Sequence, residues 1–141
     1  MAGRRLLNRI FGPFAVTLGL IGPSMAQERI QISSNWGKAS AELIDSAATR
    51  ALVRLLPLTV DMQDHLRQEK TGDLPSPLAP VPRQTAFSKG TLGLWSSDDF
   101  VIYYRNGDVP QPGIIILGQV TEDVSIFDRP GSVTVRIDQD K

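Results

Sequence analysis

The sequence of 141 residues holds one histidine, His65, and no cysteine, and these two counts bound the chemistry open to it. Thiolate nucleophiles and iron–sulfur clusters are excluded outright, and a zinc site with Cys or His ligands cannot be assembled. A Ser-His-Asp triad would have to use His65 itself. Asp98-Asp99 and Asp138-Gln139-Asp140 lack the spacing of a calcium loop and read as a solubilising turn and tail. No glycine-rich phosphate loop opens a helix, so no cofactor is expected. Tyr103 and Tyr104 are adjacent and point to opposite faces of a strand. One belongs to the core with its hydroxyl seeking a partner, and the other is free to line a groove. Trp36 and Trp95 read first as packing residues.

These residues need elements to position them. Ile30 and Ile32 alternate with Arg29, Gln31 and Ser33, the period of a half-buried strand; Asn35-Trp36-Gly37 turns the chain and Lys38 to Leu43 returns. Asp45 or Ser46 caps a helix that buries Ala48, Ala51, Leu52 and Leu55 and turns Arg50 and Arg54 outward. Pro57 ends it, lacking a donor and disfavouring a helical Leu56. Leu58, Val60 and Met62 then alternate with Thr59, Asp61 and Gln63. By this count His65 lies on the polar face and Asp64 on the apolar one, which predicts a bend or bulge near Asp64.

From Gly72 to Pro82 the chain carries Pro75, Pro77, Pro80 and Pro82, the composition of an extended covering loop. Thr91–Trp95 and Phe100–Tyr104 predict paired strands around Ser96–Asp99. Asn106-Gly107-Asp108 and Pro110-Gln111-Pro112-Gly113 are turn signals. Ile114–Leu117 is an apolar run fit for a strand covered on both faces. A turn at Asp128–Gly131 precedes a last strand around Val133, Val135 and Ile137. About seven short strands with one helix predict a small closed barrel or a sandwich.

Residues 1–26 read differently. Arg4, Arg5 and Arg9 precede an uncharged run from Ile10 to Ile21, and Ser24-Met25-Ala26 offers small residues for cleavage after Ala26. The run is shorter than the roughly 20 apolar residues that span a bilayer, so no stable membrane anchor is expected once it is cleaved. The expected location is periplasmic or secreted. Arg4-Arg5 is also compatible with the twin-arginine route. Residues 27–141 then form one domain. The whole chain is neutral; without the three arginines of the leader, 12 basic residues face 15 acidic ones, a net charge of −3. Without a basic stripe, nucleic acid is not an expected partner.

Four pieces of the chain, taken in order, resemble the bacterial cyclophilin-like domain family. They are Leu55-Leu56-Pro57-Leu58-Thr59, Glu69-Lys70 before Leu74-Pro75, Phe100-Val101-Ile102-Tyr103-Tyr104, and Ile115-Ile116-Leu117-Gly118-Gln119-Val120. Together they span nearly all of residues 29–137. Lys89-Gly90 departs from the Gly-Asp often found in the family before the strand of Leu94 and Trp95. The resemblance implies a mainly β fold, a closed cyclophilin-like barrel of about eight strands with one or two capping helices. True cyclophilins share a Phe-His-Arg segment whose arginine polarises the prolyl amide. Here the histidine stands in Asp64-His65-Leu66-Arg67, without the phenylalanine and with Arg67 one residue late. No catalytic residue is therefore assigned.

The expected function is non-catalytic binding of a peptide or small molecule, with His65, Glu69, Trp95 and Tyr104 as contacts and the proline-rich loop as a wall. Peptidyl-prolyl isomerase activity is one alternative. Service as an accessory to flavodoxin-like redox proteins is another.

Overall fold

A computed structural model describes residues 28–140. The proposed export segment and its cleavage point lie outside the described residues. The first hairpin pairs β1 (Arg29–Ser34) with β2 (Gly37–Leu43). Helix α1 (Ala47–Leu55) follows, with Ser46 as its N-cap. Ser46 Oγ accepts from the Thr49 amide at 3.1 Å, and Thr49 Oγ1 accepts from the Ser46 amide at 3.0 Å. This reciprocal cap is worth about 1 kcal/mol.

Next come β3 (Leu58–His65), β4 (Glu69–Asp73), the two-residue β5 (Ala86–Phe87), β6 (Thr91–Leu94), β7 (Asp99–Tyr103), the two-residue β8 (Gly107–Asp108), β9 (Ile115–Val120) and β10 (Val133–Gln139). A 3-10 turn over Val124–Phe127 precedes β10. Eight strands close into an antiparallel barrel in the order β1-β10-β3-β4-β7-β6-β9-β2, while β5 and β8 form a separate ribbon. The fold is the mainly β closed barrel that the resemblance implies, with one helix.

Inward residues alternate as the period of two requires. Ile30 and Ile32, Val60 and Met62, Val135 and Ile137, and Leu92 and Leu94 meet inside, nearly or wholly sealed from solvent. Helix α1 adds Ala48 and Leu52 to this core. Because α1 leaves the end of β2 and enters the start of β3, it closes one end of the barrel. The proline-rich segment departs from β4 at that same end and buries Leu74 and Leu78 in the same core. It is a covering loop, as its composition predicts. A second apolar cluster lies on the outer side of β7 and β9, where Phe87, Val101, Tyr103, Val109 and Ile114 pack together. The Phe87 ring stacks on Tyr103 with centroids 3.8 Å apart.

Two local expectations need correction. The strand does not bulge at Asp64: β3 pairs regularly with β10 through Met62 and with β4 from Gln63 to His65. Asp64 points inward because a buried ammonium, from Lys70, receives it there at 2.8 Å. The register irregularity falls instead between Leu92 and Gly93 in β6. The acidic end is also no loose tail, since Asp138 and Gln139 pair with β1 as part of β10.

Candidate functional site

The β3–β4 hairpin positions the candidate site. Its turn residues, Leu66 and Arg67, have φ of 57° and 52°, the left-handed pair of a tight hairpin turn, closed by the Gln68 amide on the His65 carbonyl at 3.1 Å. His65 and Glu69 therefore face each other across the ladder on its outer side. Thr71 follows two residues on and shares that face.

Glu69 is fully buried. Its Oε2 accepts from Trp95 Nε1 at 2.9 Å and lies 3.3 Å from His65 Nδ1; its Oε1 accepts from Gln68 Nε2 at 2.6 Å. A carboxylate can only accept, so Nδ1 carries the hydrogen and Nε2 is left unspent by this contact. His65 keeps about half of its side chain exposed, at 49%. One buried carboxylate thus fixes both an imidazole and an indole.

These side chains line a groove of about 600 Å³. Its other borders are Thr71, Asp99, Arg83 and the Pro112-Gly113 turn. Thr71 Oγ1 donates to Asp99 Oδ1 at 2.5 Å. Arg83 spends Nη1 on the carbonyls of Trp95 and Gly113, at 2.7 and 3.1 Å, and Nη2 on that of Ser96 at 3.1 Å. Three of its five N–H donors are occupied, which leaves two. Gly113 has φ +87°, and a Cβ there would strike the Gln84 carbonyl. Glycine is what allows this wall to stand so close to the segment carrying Arg83.

Of the four side chains expected from sequence to form a site, His65, Glu69 and Trp95 come together in this groove. Tyr104 does not. It lies inside the barrel, where its hydroxyl donates to Asp64 Oδ1 at 2.5 Å and accepts from Arg67 Nη1 at 2.5 Å. Tyr103, its neighbour, takes the outer face instead. Its hydroxyl is buried without a partner, and burial, with the charges of Glu69 and Asp99, pushes its ionisation far above the usual range. Arg83, Asp99 and the Pro112-Gly113 wall carry no sequence signal for a site. Thr71 carries none either, because only once β4 is seen to be a strand does period-two counting from Glu69 put it on the same face.

At the opposite parity of β4, Lys70 is wholly buried and donates to Asp64 Oδ1 at 2.8 Å and to the carbonyls of Arg129 and Gly131 at 2.5 and 3.0 Å. All three ammonium hydrogens are used, so Lys70 locks the barrel end and has no donor left for a ligand. Burial works against ionisation of Asp64, but hydrogen bonds from Lys70 and Tyr104 and the charges of Lys70 and Arg67 outweigh it and hold the carboxyl below its usual range. A larger depression, about 930 Å³, lies over the polar outer face of β1, β10 and β3. There Thr134 Oγ1 donates to Asp61 at 2.7 Å. It is a solvated sheet face with no buried carboxylate in its lining. Among the described residues, no group of three or more acidic or histidine side chains could hold a metal ion.

A closed antiparallel barrel with a helix plugging one end and a groove on its outer wall defines the class. The chain belongs to the Cyclophilin-like family, whose sequence model matches residues 32–138. It is similar in structure to a hypothetical protein from Archaeoglobus fulgidus, with a TM-score of 0.65, 11% identity, and coverage of 87% of this chain and 100% of that one. It is also similar to a cyclophilin-type peptidyl-prolyl cis-trans isomerase from Cryptosporidium parvum, with a TM-score of 0.57, 14% identity, and coverage of 82% and 99%. At these identities the likeness is one of fold. No curated protein matches the sequence.

Proposed function

We propose that this chain is an exported cyclophilin-like domain that binds a peptide or small molecule in the outer groove and releases it unchanged. The observation that carries the reading is Glu69, which holds His65 and Trp95 from beneath the groove floor. Such a constellation, fixed before any ligand arrives, reduces the ordering cost of binding. The groove is walled by Trp95 and Pro112 and supplied with His65 Nε2 and the two spare donors of Arg83. It therefore combines apolar walls with a few polar groups, the usual make-up of a ligand site. Export rests on the composition of residues 1–26.

The test is a titration of the full chain with a fragment library and a set of Xaa-Pro tetrapeptides, read at the indole N–H of Trp95 by NMR. Saturable movement of that signal while Trp36 stays still supports the reading. Silence at Trp95 across the whole set removes it.

One observation favours a second reading, peptidyl-prolyl isomerase activity. Arg83 brings a guanidinium to the groove beside Trp95 and Pro112, and a cation poised against a prolyl amide would weaken the resonance behind its barrier of about 18–20 kcal/mol. Acceleration of prolyl exchange that disappears in Arg83→Ala would favour it over simple binding.

A further inference from the structure

The barrel end opposite α1 gathers positive charge. Arg67 comes from the β3–β4 turn, Arg105 follows the end of β7, and Arg129 leaves the 3-10 turn. The guanidinium carbons of Arg67 and Arg105 lie 5.4 and 5.7 Å from the Tyr104 ring centre, and that of Arg129 lies 4.5 Å from the Trp36 ring centre. Arg67 and Arg105 both reach Asp128 Oδ1 at 3.0 Å. Beneath them the Lys70 ammonium sits 5.1 Å from Trp36 and 5.7 Å from Tyr104.

Charge is not balanced here. Among the described residues, the carboxylates paired with Arg67, Lys70 and Arg105 are Asp64 and Asp128, so with Arg129 this end carries a local excess of two in a chain whose total is zero. The donors are not exhausted either. Arg105 spends one of its five N–H groups on Asp128. The Arg129 guanidinium has no hydrogen-bond or carboxylate partner among the described residues. Both are exposed, and each lies within cation–π distance of an aromatic ring at the barrel mouth.

We infer that this end of the barrel is an anion site for a dianionic phosphoryl group, bound by the spare donors of Arg105 and Arg129 over the Trp36–Tyr104 floor. A tetrahedral dianion answers the excess of two charges, and its oxygens accept from guanidinium forks. This site is separate from the outer groove, so neither reading depends on the other.

The test is an NMR titration of the isotope-labelled full chain with inorganic phosphate near neutral pH, the ionic strength being held constant with sodium chloride. The expected result is saturable movement of the Trp36 indole and the Arg105 signals, with a Kd of about 1 mM or tighter, while the Trp95 indole stays still. Arg105→Gln and Arg129→Gln each weaken binding by about tenfold, and Arg136→Gln, on the barrel wall, leaves it unchanged. A second arm with glycerol 2-phosphate separates the sources: equal affinity assigns the phosphoryl group alone, and tighter binding assigns an ester. Movement that merely tracks ionic strength would overturn the site. So would equal loss in Arg136→Gln, or full affinity in both Arg105→Gln and Arg129→Gln.

Discussion

Glu69 and Lys70 are neighbours in the chain and point to opposite faces of the same barrel wall, Glu69 outward and Lys70 inward, both without solvent exposure. Each is tolerated only because partners from distant segments meet it. Removing one member of a buried pair costs about 3–5 kcal/mol, since the other charge stays buried alone. Lys70→Met is therefore expected to lower the urea midpoint sharply, read by circular dichroism. Glu69→Gln trades an acceptor oxygen for donor hydrogens facing Trp95 Nε1 or Gln68 Nε2. A cost of about 1–3 kcal/mol is expected, with a shifted Trp95 indole signal as its local mark. Asp64 gives a pH dependence whose sign follows from its lowered folded value. Its stabilisation is complete above the ordinary aspartate range near about pH 4 and is lost as pH falls through the folded value. Asp64→Asn should flatten the acid limb of a stability–pH curve, measured as denaturation midpoints from pH 6 down to 2; an unchanged slope would contradict the assignment.

The β3–β4 hairpin spends conformational energy to hold the site. Leu66 is 74% exposed with φ 57°, where asparagine or glycine is the ordinary choice. A left-handed backbone costs such a residue about 1–2 kcal/mol. Leu66→Asn loses almost no burial and is expected to raise stability by about 1 kcal/mol, with His65 and Glu69 undisturbed, as differential scanning calorimetry can report. β4 itself was not legible as a strand. Glu-Lys-Thr-Gly-Asp has no apolar alternation, because its inward side chain is an ammonium satisfied by Asp64 and two carbonyls. The short ribbon of β5 and β8 escaped for another reason, since two residues carry no period. In contrast, β1, β2, β6, β7, β10 and α1 were readable, their apolar spacing and caps all agreeing with the tertiary outcome.

In the whole molecule, closure explains which part of the site could be foreseen. His65 and Glu69 converge because the adjacent strands β3 and β4 share an outer face, and Trp95, just past β6, reaches over β7 to Glu69 with its indole N–H. From sequence Tyr104 reads as one of them because Phe100–Tyr104 is apolar on both faces, and such a strand does not announce which side is inside. Arg83 was invisible for a different reason: it acts from a loop whose path is set by Leu74 and Leu78 burying against the barrel end. The central claim is that the groove holds a ligand and leaves its covalent and conformational state alone. One experiment addresses both halves: two-dimensional exchange NMR on an Xaa-Pro tetrapeptide that moves Trp95, mixed with the full chain. The account predicts a saturable Trp95 shift with cis–trans exchange at the uncatalysed rate, tens of seconds or slower at about 25 °C. Exchange accelerated in proportion to protein would contradict it, as would a peptide response confined to Trp36.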